Sequence, residues 1–179
     1  ALSAENREGL ILPGLYHAVN LFNDAAGDGN YRTIEMNLST SYQRYLDLDS
    51  PHSITPGFQI GFNHKRIDFS QLTFDSQFNG YYYDPDLPTN ETPAVVSRTG
   101  LNFSIGAIYT YQPEPRKRIT AGIGWFNLPQ PKQSFYGDEL IKRDRRVAIH
   151  ARALYELNYE WDLQPAIFMQ FQGTYQEFV

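Results

Sequence analysis

Apolar and polar side chains alternate along most of this chain, with the period of two that gives a β-strand one apolar face. Between Thr33 and Tyr45, Ile34, Met36, Leu38, Thr40 and Tyr42 share a face, opposite Glu35, Asn37, Ser39, Ser41 and Gln43. Between Ile54 and Asn63, Phe58, Ile60 and Phe62 oppose Gly57, Gln59, Gly61 and Asn63. The pattern returns from Leu101 to Gln112, where Leu101, Phe103, Ile105, Ala107, Tyr109 and Tyr111 oppose Asn102, Ser104, Gly106 and Thr110. It returns again from Arg118 to Phe126 (Ile119, Ala121, Ile123, Trp125) and from Val147 to Tyr159 (Val147, Ile149, Ala151, Ala153, Tyr155, Leu157). Pro13 to Phe22 and Gln164 to Phe171 predict two more strands with mixed faces. No window carries helical periodicity, so the predicted fold class is all-β, an antiparallel meander.

The connections sharpen this. Tyr45 to Ser53, Pro113 to Lys117 and Asn158 to Leu163 are short and turn-like. Between them lie the long segments 64–100 and 127–145, with a medium connection at Ala25 to Asn30. Short turns at one end and long loops at the other is the layout of an outer-membrane-type β-barrel, whose short turns are periplasmic and long loops extracellular.

Composition enters here to separate a membrane barrel from a soluble β-sandwich. Lys65, Lys117, Lys132 and Lys142 are all the lysines, and the alternation puts each in a loop or turn. The polar faces are mostly Asn, Ser, Thr, Gln and Gly, which suits a crowded barrel interior better than a solvated sandwich face. Aromatics reach 15% of the 179 residues, including 13 Tyr. Tyr42, Tyr45, Tyr109, Tyr111, Tyr155, Tyr159 and Trp161 flank the short turns, and Phe62, Trp125 and Phe171 flank the other rim. That distribution resembles two interfacial girdles, although strands favour aromatics generally. A mean hydropathy of -0.48 does not exclude such a barrel, whose lumen and loops are polar. Seven predicted strands are odd in number, whereas single-chain bacterial barrels are even. Residues 1–179 therefore read as a single β-barrel domain, a fragment of a longer barrel.

The segment HKRIDFSQLTFDSQFNGYYY (His64 to Tyr83) is followed by FNLPQPKQSFYGD (Phe126 to Asp138) and RDRR (Arg143 to Arg146). Together with DAAGDG at Asp24 to Gly29, these resemble the PorP/SprF family of type IX secretion system membrane proteins of the Bacteroidota. Residues 1–13 lie outside the resemblance, and family members are considerably longer, with further strands on both sides. The resemblance implies an outer-membrane barrel that assists secretion or surface anchoring of partner proteins such as gliding adhesins. It implies contact with a secreted surface protein, with other type IX secretion components and with outer-membrane lipid.

The first long loop is the first candidate site. Ile67, Phe69, Leu72, Phe74 and Phe78 supply apolar bulk for a plug or cap, and Lys65, Arg66, Asp68 and Asp75 supply ion pairs to fix it. Tyr81, with Tyr82 and Tyr83, adds an aromatic surface for a partner. Asp84, Asp86, Asn90 and Glu91 offer the hard oxygen ligands that suit calcium, but their spacing matches no established loop. The second loop is stiffened by Pro129 and Pro131 and carries Phe135 and Tyr136. Its cations Lys142, Arg143, Arg145 and Arg146 are expected to pair with Asp138, Glu139 and Asp144 rather than attract an acidic partner.

Several classes fall away. A net charge of -5 disfavours nucleic acid as a partner. The four histidines have no metal-ligand spacing, and there is no cysteine. Neither a nucleophile elbow nor a phosphate loop is present. His150, Arg152 and Glu156 share an inward face but bring no nucleophile, so a salt-bridged interior is expected there. The expected protein is a non-enzymatic barrel without cofactor or metal. Two alternatives remain: a passive small-solute channel barrel, and a soluble β-sandwich that binds carbohydrate through Tyr81, Tyr82, Tyr83 and Trp125.

Overall fold

Each alternating segment forms a strand, and every strand pairs antiparallel with a neighbour close in the chain. The computed structural model describes residues 2–6, 12–46, 51–138 and 140–179. In chain order the strands are β1 (Leu2–Asn6), β2 (Leu15–Ala26), β3 (Tyr31–Tyr42), β4 (Arg44–Tyr45), β5 (His52–Arg66) and β6 (Ser97–Glu114). They continue as β7 (Lys117–Phe126), β8 (Arg146–Glu156), β9 (Asp162–Leu163), β10 (Ala166–Gln172) and β11 (Tyr175–Phe178). All belong to one sheet ordered β1-β2-β3-β5-β6-β7-β8-β10-β11, with β4 on β5 and β9 on β8.

The boundaries move in physically informative ways. β5 runs on through His64, Lys65 and Arg66, which pair with Thr99, Arg98 and Ser97 of β6. The first loop is therefore 67–96 rather than 64–100, because the backbone ladder outlasts the apolar alternation. Lys65 lies in a strand and Lys117 opens one, so only Lys132 and Lys142 of the four lysines occupy a connection. The expected medium connection shrinks to the turn at 27–30, since β2 continues to Ala26. The second loop, 127–145, falls between β7 and β8 as expected. Of the Tyr45 to Ser53 turn, residues 47–50 lie outside the described residues; Leu46 N–H donates to His52 O across it at 3.1 Å.

Register aligns the apolar positions into rows. Leu38, Ile60 and Phe103 are cross-strand partners, as are Trp125, Val147 and Phe171. This apolar face is uncovered: Phe58 is 50% exposed, Ile60 49% and Ile123 54%. The opposite face holds the buried residues, with Ser104 at 3% and Asn63 at 8%. Among the described residues no hydrophobic side chain is buried. A water-soluble sheet protein does the reverse, and a bare apolar face of this extent is what a membrane-spanning sheet presents. From Leu101 to Tyr109 along β6 the apolar face extends about 27 Å at ordinary strand rise. The sandwich alternative is overturned, because one continuous sheet leaves nothing to cover that face. The arrangement is consistent with a barrel-type outer-membrane fold.

The inner wall is lined with small residues, which lets larger side chains lie flat. The His150 ring rests on Gly122, where a Cβ would collide with it. At the turn end of the outer face the His52 ring stacks on Tyr111 at 4.7 Å, with Nδ1 2.6 Å from the Tyr109 hydroxyl. At that end Arg116 also pairs with Glu156 and Asp162, each at 2.7 Å. Glu156 thus pairs at the turn end with Arg116, whereas the salt-bridged interior expected of His150, Arg152 and Glu156 does not form, because the His150 ring lies on Gly122 and the charges that Glu156 meets come from the turns.

The sheet does not close. Eight successive antiparallel pairings link β1 to β11, so the two edge strands run in the same direction. Pairing them directly would be parallel, and antiparallel closure needs an odd number of additional strands.

The inverted faces make an asymmetric prediction. Ile105→Arg, on the uncovered face, is expected to cost about 2–4 kcal/mol of folded-state stability in lipid. Gln59→Lys, on the inner face, is expected to be tolerated. The measurement is the fraction of heat-modifiable, folded protein after refolding into vesicles; equal yields for both variants would refute the assignment of faces.

Candidate functional site

Both long loops and the 27–30 turn meet at one end of the sheet. The second loop folds across the inner wall instead of standing clear of it. Lys65 Nζ donates to Gln133 Oε1 at 3.2 Å, and Arg98 Nε donates to Ser134 O at 2.8 Å. Arg143 reaches Glu35 on β3, with Nη1 to Oε1 at 3.2 Å. Asn127 Nδ2 and Gln172 Nε2 both donate to Asp144 O, at 3.0 and 3.3 Å. Pro131 lies over Gly100, where a Cβ would meet the proline Cβ at 2.7 Å and Asn63 Oδ1 at 2.9 Å. Gly100 is therefore small because the loop passes directly above it. Asn127 and Ser134 are buried, so part of the protein's interior is made by this loop.

The first loop locks onto the second. It begins where Ile67 N–H donates to Val96 O at 3.0 Å, then Asp68 N–H donates to Gly29 O of the hairpin turn at 2.8 Å. Asp68 caps a 3-10 turn at Phe69–Gln71. The Ser70 hydroxyl, 2.6 Å from its Oδ1, together with the Ser70 N–H, holds the Asp68 carboxyl below its ordinary range. Phe69 then meets Phe135 and Tyr136 edge-on, with ring centres 6.4 and 6.0 Å apart, and Phe135 meets Tyr31 at 6.4 Å. Val95 N–H donates to Phe135 O at 3.1 Å. The Tyr136 hydroxyl donates to Glu91 Oε2 at 2.6 Å, which raises the phenol above its usual value.

Beyond this junction the first loop forms a lobe of its own. Phe74 N–H donates to Gln77 Oε1, and Asp75 opens a second 3-10 turn at Asp75–Gln77. Gln77 is buried and donates from Nε2 to Leu87 O at 3.3 Å. Phe78 bridges Tyr83, and between them the chain turns over Asn79, whose Oδ1 accepts the N–H groups of Tyr81 and Tyr82. The result is an aromatic tip: Phe78 is 54% exposed and Tyr81 92%.

The candidate residues fall into two groups in the structure. Lys65, Asp68, Phe69, Phe135 and Tyr136 belong to the interlocked cap; Phe74, Asp75, Phe78 and Tyr81 belong to the lobe. Arg66 ends β5 opposite Ser97 and is exposed. The expected ion pairs among Lys65, Arg66, Asp68 and Asp75 do not form, since Lys65 and Asp68 are engaged by neutral partners. The second loop's cations also pair differently than expected. Arg143 finds Glu35, Arg145 donates to Leu128 O, and Arg146 lies 4.4 Å over the Phe126 ring. Asp138 instead accepts from Leu140 N–H, and Glu139 lies outside the described residues. The oxygen-rich stretch is used for folding: Asp84 accepts from Asp86 N–H and Glu91 from Tyr136. Among the described residues no three His, Cys, Asp or Glu side chains converge on a metal position. Glu35, Arg98, Gly100 and Gln133 had no sequence signal beyond their inward register or loop position.

A comparison with protein families matches residues 17–178 to a family described as type IX secretion system membrane protein PorP/SprF. Neither the curated proteins nor the solved structures give a match. The matched stretch runs from β2 into β11 and includes both loops.

The cap generates a prediction. Gly100→Leu should displace Pro131 and lift the second loop from the inner wall while leaving the strands paired. Limited proteolysis of folded, heat-modifiable protein is expected to cut within 127–145 several times faster than in the parent. Unchanged cutting would refute the packing.

Proposed function

The chain belongs to the PorP/SprF family of type IX secretion system membrane proteins, and on that premise we propose that it is an outer-membrane barrel segment assisting secretion or surface anchoring of a partner such as a gliding adhesin. Membership places it among secretion-system membrane proteins rather than in an enzyme family, and implies interaction with other components of that system. In this reading the loop end faces outward, the short turns face the periplasm, and outer-membrane lipid covers the apolar face. The open edges are completed by further strands of a longer barrel, odd in number.

The observation that carries the proposal is the second loop folded into the lumen mouth and tied to β3, β5 and β6. A passive channel needs a clear path, and a loop held at several points obstructs one. Outward of that seal the structure presents Phe78, Tyr81, Tyr82 and Tyr83, large amphipathic side chains of the kind that dominate protein recognition. Phe69, Phe135, Tyr136 and Asp68 hold that surface in place from below.

Two measurements test this. In planar bilayers the purified protein should conduct little, and replacing 127–145 with a short turn should raise conductance. In cells, Tyr81→Ala with Tyr82→Ala should lower surface-exposed adhesin, scored by protease shaving, by roughly tenfold if each ring contributes as an interface anchor. A freely conducting parent protein with unchanged surface adhesin in the double variant would establish the channel reading instead.

A further inference from the structure

Beneath the second loop lies a chamber of about 520 Å³, walled by β3 and β5 on one side and by β10 and β11 on the other. Lys65, Lys142 and Arg143 line it together with Glu35 and Asp144. Two more cations adjoin it through the ladders: Arg98 is the cross-strand partner of Lys65, and Arg146 that of Gln172. Five cations (Lys65, Arg98, Lys142, Arg143, Arg146) thus line or adjoin it, against three carboxylates: Glu35, Asp144 and Asp24, the cross-strand partner of Thr33. Only Arg143 and Glu35 are in ion-pair contact, at 3.2 Å. Lys65 and Arg98 are bonded to neutral oxygens, and Lys142 is exposed to the chamber without a side-chain bond. The Arg146 Nε is buried with no hydrogen-bond partner.

We propose that this chamber binds a polyvalent oxyanion of the phosphate class. Five positive charges against three negative leave an excess of two, more than a monovalent carboxylate neutralises. Like charges crowded in a partly desolvated space repel, and a multiply charged acceptor relieves that repulsion at several groups simultaneously. The remaining lining suits the same ligand. Tyr31, Thr33 and Tyr175 offer hydroxyl donors and Gln172 an amide, from both walls. Donors contributed by both walls match an anion with acceptors on several sides. The phosphate group could be free in solution or carried on a lipid headgroup, and the lumen position favours the free form.

The test is calorimetric titration of the folded protein, in uncharged detergent, with inorganic pyrophosphate against sodium chloride of equal ionic strength. Saturable one-site binding is expected for pyrophosphate alone. Lys142→Gln should weaken it roughly tenfold, the loss of one charge-assisted hydrogen bond. Lys142 makes no side-chain bond, so that variant should fold like the parent, as heat-modifiable mobility will show. Micelles doped with phosphatidic acid form the second arm. Binding there but not to pyrophosphate would place the anion on the lipid-facing side and overturn the proposal. So would heats matched by sodium chloride, or pyrophosphate binding that Lys142→Gln leaves intact. No secreted partner enters these assays, so they stand apart from the secretion reading.

Discussion

A strand surrounded by hydrocarbon has nowhere to place its backbone N–H and C=O groups except on another strand, and that requirement organises the rest of this protein. β5 satisfies it on both sides, with β3 along one edge and β6 along the other. Once every strand is committed to its neighbours, side chains alternate between lipid and lumen, and the usual assignment of apolar residues to the interior inverts. Leu38, Ile60 and Phe103 form an outward row because lipid is the apolar phase available to them. Inward positions are left to Asn, Ser, Gln and Gly, which hydrogen-bond or leave room for larger neighbours. The Gly122 position shows the second role, admitting the His150 ring against the backbone.

A polar lumen then changes what loops can do. A soluble protein's long loop has to stay on the surface because its backbone polar groups need water. Here the lumen wall supplies donors and acceptors at the loop's own height. Lys65, Arg98 and Glu35 serve the second loop in that way, and its Ser134 and Asn127 become buried. The single ion pair in this set, with side chains 29% and 26% exposed, still meets solvent and contributes modestly. The steric fit of Pro131 on Gly100 and the number of separate ties do more to fix the loop.

How much of this could be read from the chain follows from the range of each interaction. Period-two alternation is local, so the seven longer strands were legible, with the outward faces of five of them; β2 and β10 have mixed faces that left theirs open. β1 and β11 are too short to express a period, and β5 outruns its own apolar pattern because Lys65 and Arg66 continue the ladder without continuing the alternation. The loop aromatics Phe69, Phe135 and Tyr136 were visible as an excess that idle loops do not need. Their meeting was not, since it joins residues far apart in sequence. The charge pairing failed for the same reason. Arg143 has Asp144 beside it and still bonds Glu35, because the loop's path brings it to the β3 wall. Inward register marked Glu35 as the one charged residue on the polar face of β3, and nothing local said what it faced.

The cap is best understood by following a force through it. Under the proposed reading, a partner held at Tyr81 would pull on the lobe, which Gln77 knits through Phe74 and Leu87. From the lobe the load passes through Glu91 and Tyr136, and through Phe69 and Phe135, into the second loop. The second loop hands it to three different strands, at Glu35, Lys65 and Arg98. Each contact is weak alone, yet load spread over parallel ties on paired strands is resisted by the whole ladder. A loop built only to restrict a pore would need the seal and not the links from the lobe to it. This cap has both, the seal at Glu35, Lys65 and Arg98 and the links from the lobe through Glu91 and Phe69, which is the arrangement that the proposed attachment role requires.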